Sequence, residues 1–304
     1  MQCLASTFSA FLRGCCESLR QIFCAVLLLQ TAGCSAFFFY PDKFLRITPA
    51  ELEIPYDELT IESKDGTKLI AWHLKSKLDA AKGTIVFFHG NAENISSHIN
   101  SVYWLPRNGY EVFMIDYRGY GGSQGAPHTE GVHWDAEAAL EFVIDDNRFC
   151  KKRLVVFGQS LGGAIAVTSV AKFTRKDLID AVVVESTFAS YQSVAREVIS
   201  RVPLVGWFSW PLSIFTYEHF SPEKHAASLA PIPLLIIHGQ NDPMIPPSEA
   251  ERLFHSARGP AAYWRLPDSG HIGAFNTEEA RGKLLQYLEA LPAHSKDCSR
   301  SSTY

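Results

Sequence analysis

The chain has 304 residues, 47% hydrophobic and 20% charged, an ordinary globular composition with enough length for one large domain. Its 28 Lys and Arg against 32 Asp and Glu give a net charge of −4, with no basic run or aromatic-interleaved basic stripe, so nucleic acid is not an expected partner. The seven cysteines form neither a disulfide framework nor a zinc-ligand spacing, and H-E-x-x-H is absent, so no metal or other cofactor is implied.

At the N-terminus, Arg13 and Arg20 precede an apolar core, Ile22 to Leu29, and the small residues of TAGC then lead to Cys34. Residues 1–34 are therefore built like a signal peptide and resemble a bacterial lipoprotein signal, in which Cys34 carries the lipid. Thr31 stands where Leu or Val is usual, and Glu17 interrupts the basic segment. The competing reading is an uncleaved anchor, because residues 21–40 are long enough to span a bilayer. Both attach the chain to a membrane; the first makes it an exported cell-envelope protein.

From residue 55 to 291, β-rich runs alternate with helical patterns, as in a mostly parallel sheet covered by helices on both faces. ELTIES and KLIAWHLKS, joined by the turn residues Lys64-Asp65-Gly66-Thr67, read as an antiparallel pair. TIVFFHG follows as a strand, then a helix from Ile95 to Arg107 closed by Asn108-Gly109, then the strand EVFMIDYRG. Residues 129–147 read as a helix with Trp134, Ala138, Phe142 and Val143 on or near one apolar stripe. Next come the strand RLVVFG, a helix over 161–173, the strand AVVVES, the strand PLLIIHG, a helix over 248–257, the strand AAYWRLP and a final helix over 277–291. That makes eight strands in one domain, followed by a loose polar tail, residues 292–304. Residues 190–222, rich in aromatics and proline, read as a short cap; Trp207, Phe208, Trp210, Phe215 and Tyr217 there fit lid core, acyl pocket or membrane-facing patch.

In a parallel α/β sheet the residues just after strands line the ligand crevice. After RLVVF, Gly158, Ser160 and Gly162 make a nucleophile elbow: small neighbours allow a sharp strand-to-helix turn that leaves the serine hydroxyl exposed. A serine needs a base held in one tautomer by a carboxylate. His271, in the loop after the last strand, is that base, and Asp242, in the Asn-Asp-Pro turn after the preceding strand, is that carboxylate. Asp268 is the rival, too near His271 in sequence to reach its ring correctly. The backbone N–H groups of Leu161 and Asn91 form the oxyanion hole, and His89 is a structural loop residue. Asp116 and Arg118 belong to the scaffold of DYRGYGG, whereas Glu185 either braces a neighbouring loop or has no special role.

The ordered run HGNAENI, DYRGYGGSQG, GQSLGG, ESTF, HGQNDPMIP and SGHIGAF resembles the α/β-hydrolase superfamily over residues 55–291, and within it a membrane-associated group with an HGN loop and a small cap. The resemblance implies the α/β-hydrolase fold and a serine hydrolase acting on a small-molecule carboxylic ester or thioester. It leaves two alternatives: a peptidase of the prolyl-oligopeptidase type, which uses the same triad, and an inactive binding protein on the same fold. Oligomeric state is not legible.

Overall fold

The computed structural model of the chain describes residues 39–200 and 218–292. The signal-type segment with Cys34, the aromatic middle of the expected cap and the tail from residue 293 lie outside the described residues. Among the described residues no helix is long and apolar enough to cross a membrane.

The eight expected strands form one sheet: β2 (Tyr56–Glu62), β3 (Lys68–Leu74), β4 (Gly83–Phe88), β6 (Tyr110–Ile115), β7 (Leu154–Gln159), β8 (Ala181–Glu185), β9 (Leu234–Gly239) and β10 (Ala261–Leu266). Their spatial order is β10-β9-β8-β7-β4-β6-β3-β2. Only β2 with β3 and β3 with β6 pair antiparallel; the other neighbours are parallel. A two-residue pair, β1 (Tyr40–Pro41) with β5 (Ala92–Glu93), stands outside this sheet. The single pairing is too short to leave an alternation that sequence reading detects.

The central strands are mostly apolar because both faces are covered, with buried polar exceptions at Thr84, Glu111, Gln159 and His238. Every residue of β4, β6, β7 and β9 is buried. On one face lie α2 (Thr129–Asp145), α3 (Leu161–Lys172) and α5 (Pro247–Ser256), around Ala136, Leu140, Ile165, Val167, Ala250 and Leu253. The other face is covered by the segment 95–108 and α6 (Glu278–Ala290), around Ile95, Ile99, Leu105, Leu284 and Leu288.

Two helical expectations change. The run from Ile95 to Arg107 is not one helix; it divides into α1 (Ile95–His98) and 3-10 turns at Ile99–Ser101 and Pro106–Asn108. Asn100, Ser101 and Val102 are poor helix formers, and Pro106 removes a donor, so packing selects short turns. In α2 the buried stripe runs through Val132, Ala136, Ala139, Leu140 and Val143, while Trp134, Ala138 and Phe142 are half-buried on its flank. Of the expected cap, α4 (Tyr191–Ser200) is described. Cys150, the one described cysteine, takes part in a disulfide.

Candidate active site

The strand order turns at β4, with β6 on one side and β7 on the other. The crevice beyond the carboxyl ends at such a switch point is where open α/β sheets bind ligands. Here the loop after β4 faces the turn after β7: a Cβ added to Gly90 would lie 3.6 Å from Ser160 Cβ.

Ser160 follows β7 directly and precedes α3, at φ 52° and ψ −118°. That left-handed φ is costly for a residue with a Cβ and persists only where the surroundings enforce it. Two bonds do so: Ser160 N–H donates to Glu185 O at 2.8 Å, and the Thr187 hydroxyl donates to Ser160 O at 2.8 Å. Gly158 and Gly162 make room, since a Cβ on Gly162 would sit 2.5 Å from the His89 carbonyl oxygen. The serine side chain is left half-buried beside the first turn of α3, where Gly163 N–H donates back to Ser160 O at 3.0 Å and the N–H groups before it have no helical carbonyl to bond. Leu161 carries the first of them.

Asp242 and His271 meet across the loops after β9 and β10, with Asp242 Oδ2 2.8 Å from His271 Nδ1. Asp242 Oδ1 accepts the Met244 and Ile245 N–H groups at 2.8 and 3.0 Å. Burial alone would raise this carboxyl, but hydrogen bonds from His271 and from the Ile245 and Met244 amides outweigh it and hold the group below its ordinary range. The carboxylate is thus buried and ionised, whereas the imidazole is 20% exposed. Asp268, the rival, is exposed.

The histidine loop is fastened from beneath. Ile272 N–H donates to Ser186 Oγ at 3.1 Å, Ala274 N–H to Glu185 Oε1 at 2.8 Å, and Gln159 Nε2 to Glu185 Oε2 at 2.6 Å. Glu185 is therefore a brace between the elbow and the histidine loop, which resolves the alternative left by the sequence. It is fully enclosed, and burial pushes its carboxyl up against those hydrogen bonds. Glu185→Ala should lower the unfolding free energy by about 2–4 kcal/mol in urea titration, because two buried N–H groups lose their acceptor.

On the other side of the crevice, Asn91 Oδ1 accepts from Tyr40 N–H at 3.1 Å and from the Tyr120 hydroxyl at 3.0 Å. Its side chain fixes the loop and leaves the backbone N–H for other work. His89 is buried, with Nδ1 2.7 Å from Gly90 O and its ring 4.4 Å from that of Tyr117, and burial drives its pKa down, so it is a neutral loop residue. Asp116, pushed up to about 7 by burial, accepts Ile95 N–H at 2.9 Å; Arg118 is paired with Asp135 at 2.8 Å and Asp65 at 2.7 Å. Both are scaffold.

Backbone strain concentrates here. Of the five described non-glycine residues with positive φ, Glu93, Ser160, Ser186 and Ile272 lie in these loops, and only Glu53 lies elsewhere. Ser186 and the Tyr40 contact were not singled out by sequence reading. The motif ESTF was the available signal for the first; the second comes from a segment distant in sequence and had none. Among the described residues no group of three or more His, Cys, Asp or Glu is arranged to hold a metal ion.

A strained serine at a strand-to-helix turn and a histidine paired with a buried carboxylate, all in loops at the carboxyl ends of a doubly covered, mostly parallel sheet, are the features of a hydrolase-type α/β protein. Comparison with known proteins agrees. The family model for serine aminopeptidase S33 matches residues 79–217. The Escherichia coli (strain K12) protein YfhR is 38% identical over 258 residues, covering 84% of this chain and 85% of that protein. The α/β hydrolase domain-containing protein WAV2 of Arabidopsis thaliana is 33% identical over 260 residues, covering 81% of this chain and 83% of that protein. The structure of the Pyrococcus furiosus esterase Pf2001 superposes with a TM-score of 0.66 at 22% identity, over 84% of this chain and 98% of that one. The chain belongs to the α/β-hydrolase superfamily.

Proposed function

We propose that this hydrolase is a membrane-attached serine esterase or thioesterase that works through an acyl-enzyme. The observation that carries the reading is the 2.8 Å pairing of His271 Nδ1 with the buried Asp242, set on consecutive strand ends beside the elbow at Ser160. His271 Nε2 takes the Ser160 hydroxyl proton as Oγ bonds to the substrate carbonyl carbon. The carbonyl oxygen becomes an oxyanion and accepts the Leu161 and Asn91 N–H groups. Collapse breaks the bond to the alcohol or thiol, which leaves with the proton from His271; water then repeats the sequence and releases the acid. Asp242 fixes the imidazole tautomer and stabilises the imidazolium. None of this requires a cofactor.

Ser160→Ala should abolish labelling by a fluorophosphonate probe and reduce hydrolysis of p-nitrophenyl esters by about a millionfold. Retained labelling refutes the assignment, and an inactive wild-type chain that binds the probe nowhere favours a binding protein. Aminoacyl amides tested beside the esters separate the peptidase reading. A peptidase of that kind holds its substrate amine with carboxylates. The cavity of 580 Å³ between α4 and α5 does contain glutamates. Three of the four are engaged, however: Glu218 by Ser190, Gln192 and Ser221, and Glu223 and Glu249 by Arg252, and the fourth, Glu197, is not free either. The ester reading is therefore preferred.

The membrane part rests on the apolar run before Cys34 and on the span of residues 21–40. Mass spectrometry of the mature N-terminus should find an acylated Cys34; an unmodified Met1 would leave the uncleaved anchor instead. The domain assignment, with residues 55–291 as the hydrolase, 190–222 as its cap and 292–304 as a tail, is proposed on the same footing.

A further inference from the structure

Residues 39–46 lie outside the main sheet yet are fastened along the loop that carries Asn91. Tyr40 N–H donates to Asn91 Oδ1 at 3.1 Å and Asp42 N–H to Glu93 O at 3.2 Å. Asn94 Nδ2 donates to the carbonyls of Asp42 and Phe44 at 3.0 and 2.9 Å, and Arg46 N–H to Ser96 Oγ at 2.9 Å. Asp42 O also accepts Gly121 N–H at 2.9 Å, and the Lys43 ammonium donates to Ser123 O at 3.0 Å. The backbone of this strap thus faces inward, toward the candidate oxyanion loop.

Phe39 is buried in the core, but three other large apolar side chains of the strap face outward. Tyr40, Phe44 and Leu45 are 56%, 69% and 55% exposed; the other exposed large hydrophobics of the described residues, Leu78, Leu178 and Met244, are scattered singly. A single exposed apolar side chain needs no explanation, but three within six residues of one strap do. The charges beside them are taken up locally: Arg46 is paired with Asp42 at 2.7 Å and with Glu93 at 3.4 Å, and the Lys43 ammonium is turned inward onto the Ser123 carbonyl. What covers the patch is indicated by where the chain comes from. If Cys34 carries a lipid, Tyr40 is six residues on, at most about 20 Å of extended chain from the bilayer. If residues 21–40 are an uncleaved span, Tyr40 is its last residue. In either case the patch is tethered at the membrane surface, where aromatic residues settle with one edge in hydrocarbon and the other in water.

We propose that Tyr40, Phe44 and Leu45 dock the oxyanion edge of the site onto a lipid bilayer, so that the enzyme takes its ester from the membrane that holds it. The proposal rests on the membrane-attached hydrolase reading above. It adds that the mouth of the site, and not merely the N-terminus, engages lipid.

The test uses the full chain in phosphatidylcholine vesicles. A photoreactive p-benzoylphenylalanine in place of Phe44 should cross-link to lipid on illumination. The same group in place of Leu178, which precedes β8 and lies at the opposite end of the sheet, should not. Cross-linking of position 44 to protein, whether residues of the same chain or a second copy, overturns the proposal, as does lipid capture at both positions alike. In a second arm, Phe44→Ser combined with Leu45→Ser should reduce turnover of a long-chain ester embedded in the vesicles relative to a dissolved short-chain ester by at least about tenfold. The ratio cancels any general loss of folded enzyme, and an unchanged ratio overturns the claim. The cross-link does not depend on turnover, so a failed serine-hydrolase assignment, read from Ser160→Ala, is distinguishable from failed docking.

Discussion

Asp242→Asn is expected to lower kcat by about 10⁴ while leaving the fold intact. The size of the loss follows from how the carboxylate is used. Asp242 Oδ1 accepts two backbone N–H groups, from Met244 and Ile245, and Oδ2 lies 2.8 Å from His271 Nδ1. An asparagine amide has one accepting atom and one donating atom in place of two acceptors. Its oxygen must face the two fixed backbone donors, because turning the NH2 toward them would leave two buried N–H groups opposed by a third donor. The NH2 is then presented to His271 Nδ1, which can meet it only as an acceptor. That choice moves the imidazole proton to Nε2, the nitrogen that the proposed mechanism needs unprotonated to take the proton from Ser160. The nearby His238 cannot substitute: its Nε2 is committed to Ile245 O at 3.0 Å, and burial holds its pKa down. The check is steady-state kinetics with a p-nitrophenyl ester beside a thermal unfolding scan. A parallel collapse of folding and activity would assign Asp242 to structure alone.

The sequence made the sheet and the strand-end residues legible because their signals are local. Runs such as LVVF and LLII, each followed within two residues by glycine, are the unbroken apolar segments that strands buried on both faces need. Gly158 and Gly162 around Ser160, and the turn residues around Asp242, are likewise local requirements. What escaped depends on distant partners. Glu185, which the sequence leaves as either a loop brace or a residue of no special role, is fixed as a brace only by its two oxygens, which lie between Gln159 and Ala274. Asn91 was read for its backbone alone, yet its side chain receives Tyr40 and Tyr120 from segments remote in sequence. The over-long helix at 95–107 has the same cause in reverse. Ile95, Ile99, Val102 and Leu105 have helical spacing, but they serve to cover the sheet, and short turns achieve this while leaving Asn94 to cap Ser96 and hold the strap. Periodicity reports which side chains must be buried; it does not report which backbone delivers them.

Gly162→Ala is expected to destroy activity and to destabilise the protein by about 3 kcal/mol or more, at the upper end of what overpacking costs. A methyl group at this position would overlap the Phe88 carbonyl and lie 2.5 Å from the His89 carbonyl oxygen. Both are backbone atoms at the end of β4, so no side chain can rotate away to admit it. Relief requires the elbow and β4 to separate, and that separation is also the width of the crevice between Ser160 and the Asn91 loop. Stability and catalysis should therefore fall together, with KM and kcat both affected because the proposed oxyanion donors, Leu161 and Asn91, move apart. Gly282→Ala provides the control. That glycine lies within α6 with nothing inside 4 Å of the added carbon, so the substitution should stabilise the protein by about 0.5–1 kcal/mol through helix propensity. Urea unfolding of the two variants under one set of conditions decides the matter. If Gly162→Ala retained wild-type stability and turnover, the elbow would not be held against β4 as described, and Ser160, His271 and the Asn91 loop would not share the rigid frame that the proposed mechanism needs.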